Sequence, residues 1–129
     1  MKIYIITDFK TNPLLLKKLI SFVTERGHKL INLNHLINND LKKNTDIYET
    51  SLQLLKSAEI VLGLPGSLNF DFGYLLNYAL FHKRKCIIFE TENFKSNCSI
   101  YLGCTAPQFY RKKIKNDNDM FKILTLFKI

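Results

Sequence analysis

Short β-branched and aromatic runs alternate with stretches of helical periodicity along the whole chain, and no hairpin dipeptide joins two of the runs. Strands separated by helices favour parallel pairing, so the alternation predicts a parallel sheet with right-handed crossovers and helices on both faces. Lys2 to Thr7 reads as the first strand. Asn12 and Pro13 suit the N-cap and first position of a helix whose apolar positions include Leu15, Leu19, Phe22 and Val23, stopped by Gly27. Lys29 to Leu33 is the second strand, and Asn34 to Thr45 an irregular connection with one helical turn. Asp46 can cap a helix that buries Ile47, Leu52, Leu54 and Leu55 and ends near Ser57. Glu59 to Leu64 is the third strand, Phe70 to His82 a helix, and Lys85 to Phe89 the fourth strand. Asn93 to Gly103 holds a short helix, Gln108 to Arg111 is a fifth strand, and Asp117 to Lys128 a closing helix. The expected fold is α/β: a single domain over 1–129, a flavodoxin-like three-layer sandwich with a five-stranded sheet in the order 2-1-3-4-5, the order following from the fold class.

Composition narrows the function classes. Hydrophobic residues are 47% and charged residues 23% of 129, which fits a globular domain. No apolar run approaches the ~20 residues a membrane span needs. Met1 to Thr7 lacks the basic start and small-residue cleavage site of a signal peptide, so it is read as a strand and the chain as cytoplasmic. Cys86, Cys98 and Cys104 form no CxxC, and His28, His35 and His82 are scattered; free thiols and no metal are expected. The net charge of +8 comes from 16 Lys against 3 Arg, beside 12 Asn, the bias of an AT-rich coding sequence. Base and phosphate grips favour Arg, so Lys83-Arg84-Lys85 and Arg111-Lys112-Lys113 are read as solvated surface rather than a nucleic-acid footprint.

In such folds ligands bind beyond the carboxyl ends of the strands, where the strand order reverses. The loop after the first strand, Asp8-Phe9-Lys10-Thr11, has no glycine, and no GxxxxGK[ST] occurs, which excludes the common dinucleotide and NTP cradles. Lys10 and Thr11 can meet an anion near a helix start, or simply form a polar turn. After the third strand come Pro65-Gly66-Ser67-Leu68-Asn69, with Asp71 in the first turn of the next helix. A carboxylate there is favoured as the anion by the helix dipole. That suits a nucleophile, and it equally suits plain charge compensation of the helix.

Several segments taken together resemble the nucleoside 2-deoxyribosyltransferase family, and within it the 2'-deoxynucleoside 5'-monophosphate N-glycosidase branch. They are the Tyr-containing first strand, Ala58-Glu59-Ile60-Val61, the Pro65 to Leu75 loop and helix, and the Ser-rich run Ser96 to Gly103. The resemblance implies an enzyme that cleaves N-glycosidic bonds of nucleosides or their 5'-monophosphates, without a cofactor, in at least a homodimer. A degenerate relative that binds a nucleotide without turnover is the alternative. Matching Asp71-Phe72-Gly73-Tyr74 to the family's Glu-x-Gly-x puts Asp71 at the nucleophile, whereas aligning without gaps from Ala79 puts Leu75 there. The run Phe70-Asp71-Phe72-Gly73-Tyr74 favours the first register. By the same resemblance Tyr4 and Asp8 assist at the sugar or leaving base, and Thr7, Lys10, Ser67, Asn69, Ser96 and Ser99 contact substrate. The last two would reach a neighbouring subunit's phosphate site, and ordinary loop serines would look the same. The family's Gly-rich first loop is replaced here, and Ser51 stands where an aspartate is common. Phe70, Tyr74, Tyr78 and Phe81 form a helical stripe that offers a face for stacking a base, and it is read as packing against a second subunit.

Overall fold

The computed structural model describes residues 1–7, 12–37, 44–66 and 68–129. In chain order the elements are β1 (Lys2–Thr7), α1 (Pro13–Glu25), β2 (Lys29–Leu30), α2 (Leu33–Ile37), α3 (Asn44–Ser57) and β3 (Ile60–Leu64). They continue with α4 (Phe70–Phe81), β4 (Lys85–Glu90), α5 (Ser99–Leu102), β5 (Phe109–Lys113) and α6 (Asp117–Leu126). The five strands pair in parallel, as the alternation predicts, and their order is β2-β1-β3-β4-β5, the order expected from the fold class.

Side-chain alternation divides the core into two layers. Ile3 and Ile5 of β1, Leu62 and Leu64 of β3, and Ile87 and Phe89 of β4 meet Leu16, Leu19 and Val23 of α1 and Met120 and Leu124 of α6. The intervening residues Tyr4, Ile6, Val61, Cys86 and Ile88 pack on Leu55 of α3, Phe72, Leu76 and Ala79 of α4, and Tyr101 of α5. Burial on both faces is why the strands read as almost unbroken apolar runs.

The expected second strand ends early. Pairing runs only through Lys2–Lys29 and Ile3–Leu30, with one further bond from the Ile31 amide to the Ile3 carbonyl. The buried Asn32 side chain then replaces the ladder: Ile5 N donates to its Oδ1 at 3.0 Å, and its Nδ2 donates to the Ile5 carbonyl at 2.8 Å. With Ile5 satisfied by an amide side chain, the main chain is released into α2 at Leu33, inside the expected strand. Asn32→Ala leaves a buried N–H and C=O unpaired, and should cost about 1–3 kcal/mol in urea unfolding. An unchanged midpoint would show that Asn32 does not carry this junction.

Three smaller expectations are corrected. Asn12 holds the N-cap position of α1 but makes no side-chain cap bond, its φ of −150° and ψ of 66° lying outside the extended region from which caps usually reach. Asp46 is not a cap, because α3 already begins at Asn44 and places Asp46 in its first turn. The fifth strand runs Phe109–Lys113, where pairing with Cys86 to Glu90 carries it past Arg111.

Gly63, in the middle of β3, is required by close approach. A Cβ there would lie 2.3 Å from Ile88 Cδ1 and 3.2 Å from Phe72 Cζ. Gly63→Ala should therefore cost about 1–3 kcal/mol, and adding Ile88→Val, which deletes the clashing methyl, should recover part of it. Equal urea midpoints for Gly63→Ala with and without Ile88→Val would show that the contact is not limiting.

Candidate functional site

The switch in strand order falls between β1 and β3, and Thr7 ties their ends together: its Oγ1 donates to the Leu64 carbonyl at 3.0 Å. The chain leaves β3 through buried Pro65 and enters α4 behind Asn69, whose Oδ1 accepts from Phe72 N at 2.8 Å. Asn69, expected to hold substrate, is thus a helix N-cap. The cap starts α4 at Phe70 and puts Asp71 in the first turn, where the exposed helix N–H groups favour an anion.

Packing of α3 beside α4 leaves a cleft of about 430 Å³, lined by Asn44, Ile47, Tyr48, Ser51, Phe70, Asp71, Tyr74 and Leu75. Asp71 and Leu75 both face it, one helical turn apart. The two registers that the sequence leaves open therefore lead into one cavity, with exposed Asp71 and half-buried Leu75 as neighbours. Asp71 is the sole charged side chain among the described lining residues.

Ser51 lies at the buried side of this cleft, next to Tyr4. Tyr4 is core, 3% exposed, and burial pushes its hydroxyl pKa up, partly offset by hydrogen bonding with the Ser51 and Asn32 side chains. It is protonated at neutral pH and reaches the cleft through Ser51. At the exposed side, the Tyr48 and Tyr74 hydroxyls are 3.0 Å apart, and this bond is the first cause holding the Tyr48 pKa above its ordinary value.

Two of the expected site residues, Ser96 and Ser99, do not gather here. Ser96 Oγ accepts from Cys98 N at 3.1 Å, a local turn, and Ser99 is the exposed first residue of α5; neither lines the cleft. Asp8, Lys10 and Ser67, with Thr11, lie outside the described residues. Sequence reasoning missed Asn44, Ile47 and Tyr48 as site residues. The available signal was their spacing with Ser51, which is one helix face, but it needs α4 opposite to acquire meaning.

A second polar cluster was also missed. Glu90, 5% exposed at the end of β4, accepts from Tyr101 Oη at 2.5 Å, Arg111 Nε at 2.8 Å and Arg111 Nη2 at 3.3 Å. The Arg111 guanidinium also lies 4.8 Å from the Tyr101 ring centroid. Arg111 is therefore not solvated surface: parallel pairing with Ile88 sets it on the α5 side of the sheet, beside Tyr101.

These features define a class, an α/β three-layer domain with a ligand-sized cleft between the helices that precede and follow β3. A solved structure of a CMP N-glycosidase from Clostridium botulinum, BcmB, shares this fold with a TM-score of 0.77. The likeness covers 98% of this chain and 99% of that one at 13% sequence identity. No protein-family model matches the chain, and no curated protein matches its sequence. Among the described residues no helix is long and apolar enough to cross a membrane.

Proposed function

We propose that this cleft binds a nucleoside or nucleoside 5'-monophosphate and that Asp71 cleaves its N-glycosidic bond. The observation that carries the reading is a carboxylate in the first turn of α4, lining a cleft of about 430 Å³ between α3 and α4. The fold shared with a CMP N-glycosidase supports it. In the reaction the Asp71 carboxylate attacks the anomeric carbon as the bond to the base nitrogen breaks, through an oxocarbenium-like transition state. The base leaves with that bond's electron pair and takes up a proton. Water, or a second base, then displaces the carboxylate and restores it. Tyr4, protonated and joined to the cleft by Ser51, orients the sugar side. We assign the further substrate contacts to Asp8, Lys10 and Ser67, which follow β1 and β3 in the sequence.

The test is incubation with a panel of deoxynucleosides, ribonucleosides and their 5'-monophosphates, with and without an acceptor base, following free base by chromatography. Base release supports the reading, and its absence from the whole panel ends it. The aliphatic Leu75 beside Asp71 favours a second reading, in which the cleft binds a nucleotide without turnover. That reading expects thermal stabilisation by nucleotides and no free base.

The proposal includes a cytoplasmic homodimer of this one domain. Phe81, Ile100 and Leu102 are 78%, 93% and 45% exposed on α4 and α5 and support self-association. Analytical ultracentrifugation should give twice the 15.1 kDa chain mass. A monomer at micromolar concentration would remove the dimer from the proposal.

A further inference from the structure

Among the described residues, four large aromatic side chains are exposed, and three of them line one cleft: Tyr48 at 51%, Phe70 at 81% and Tyr74 at 41%. Apolar ring surface left in water is unfavourable, and these rings are not scattered. Phe70 and Tyr74 lie with centroids 5.8 Å apart and planes 32° from one another, and Tyr48 stands 6.0 Å from Tyr74 at 52°. The rings form a bent wall rather than a closed stack, so their outward faces are open to a planar guest.

The helix supplies the register. Positions 70, 71, 74 and 75 fall on one face of α4, so the Asp71 carboxylate rises from the same face as the two α4 rings. A ring system laid on Phe70 and Tyr74 rests on residues within one helical turn, ~5.4 Å along the axis, of the residue that bears the carboxylate. The tyrosine hydroxyls add polar recognition. Their mutual bond at 3.0 Å uses one hydrogen of the pair and leaves the other to donate to a carbonyl or ring nitrogen.

We propose that Phe70, Tyr74 and Tyr48 are the nucleobase platform of the cleft: the rings hold the base by stacking, and the hydroxyl pair reads its polar edge. This rests on the nucleoside reading of the same cleft. The aromatic stripe on α4 then divides, its first two rings belonging to the ligand and Phe81 to the outer surface.

The chain has no tryptophan and six tyrosines, so intrinsic fluorescence reports tyrosine directly. The experiment titrates nucleosides, and 2-deoxyribose as a base-free control, into Asp71→Asn protein, which keeps the ligand intact. Phe70→Leu and Tyr74→Leu are then added separately, with circular dichroism confirming the fold. Nucleosides should quench the emission and the sugar should not. Each Leu variant should weaken binding about tenfold or more, the scale of base–aromatic stacking. Tyr48→Phe should keep affinity for the preferred base within about tenfold and change which base is preferred. Unchanged affinity in both Leu variants overturns the platform, as does absence of any quench. A change of sedimentation with no change in affinity also overturns it, by assigning the rings to a subunit contact. Quenching that depends on Tyr74 in a protein that never releases base keeps the platform and removes the glycosidase reading. Base release with unaltered KM in Phe70→Leu and Tyr74→Leu does the reverse.

Discussion

Asp71→Asn should lower base release by about a thousandfold or more and leave the fold standing. The asparagine matches the carboxylate in shape, but it cannot form the glycosyl ester on which the two-step reaction depends. Its structural cost is small. Asp71 is exposed, and the lost interaction with the first turn of α4 is worth about 0.3–1 kcal/mol. For a domain of this size that lowers Tm by only a few degrees. A large loss of activity beside a small loss of stability separates a reacting group from a helix-charge residue. Full turnover in Asp71→Asn would take the residue out of the mechanism. Collapse of the fold would make it structural.

The largest effect on stability is expected at Arg111. Arg111→Met removes the cation facing Glu90, whose side chain is 6% exposed, and leaves a carboxylate buried with Tyr101 as its remaining partner. Breaking a buried pair from one side costs about 3–5 kcal/mol. With the Arg111 side chain 29% exposed, the lower end of that range is expected. Removing both charges, as Glu90→Leu with Arg111→Met, should recover most of the loss, since the penalty belongs to the orphaned charge. Urea unfolding at neutral pH measures both. A cost below about 1 kcal/mol for Arg111→Met would place the pair with ordinary surface ion pairs.

The same cluster sets an alkaline limit. Burial, then the bond to Glu90, pushes the Tyr101 hydroxyl pKa well above its ordinary value of 10.0. The unfolded chain therefore sheds that proton first. The stabilisation is complete below pH 10 and declines as pH rises beyond it. Tyr101→Phe should flatten this decline, and an identical pH profile would show that another group causes it.

The fold was readable because the strands carry their own signal. Runs such as Ile60 to Leu64 are buried on both faces, and the intervening helices leave parallel pairing as the consistent arrangement. The end of β2 was not readable, since Asn32 acts through Ile5, a distant partner in sequence. The site divides the same way. The place of Asp71 in the first turn of α4 could be found because the order strand, loop, cap, carboxylate is local. Tyr48 and Ser51 become site residues only when α3 is laid beside α4. The Glu90 cluster draws on β4, α5 and β5, and nothing in the spacing of Glu90, Tyr101 and Arg111 joins them.

The amide of Asn32 has a consequence for solubility. A two-residue β2 would otherwise leave the far half of β1 as an open sheet edge, with Ile5 offering a free donor and acceptor to any extended segment of another molecule. Asn32 occupies both. The side chain that ends the strand thereby also blunts the edge against strand addition and the aggregation it seeds.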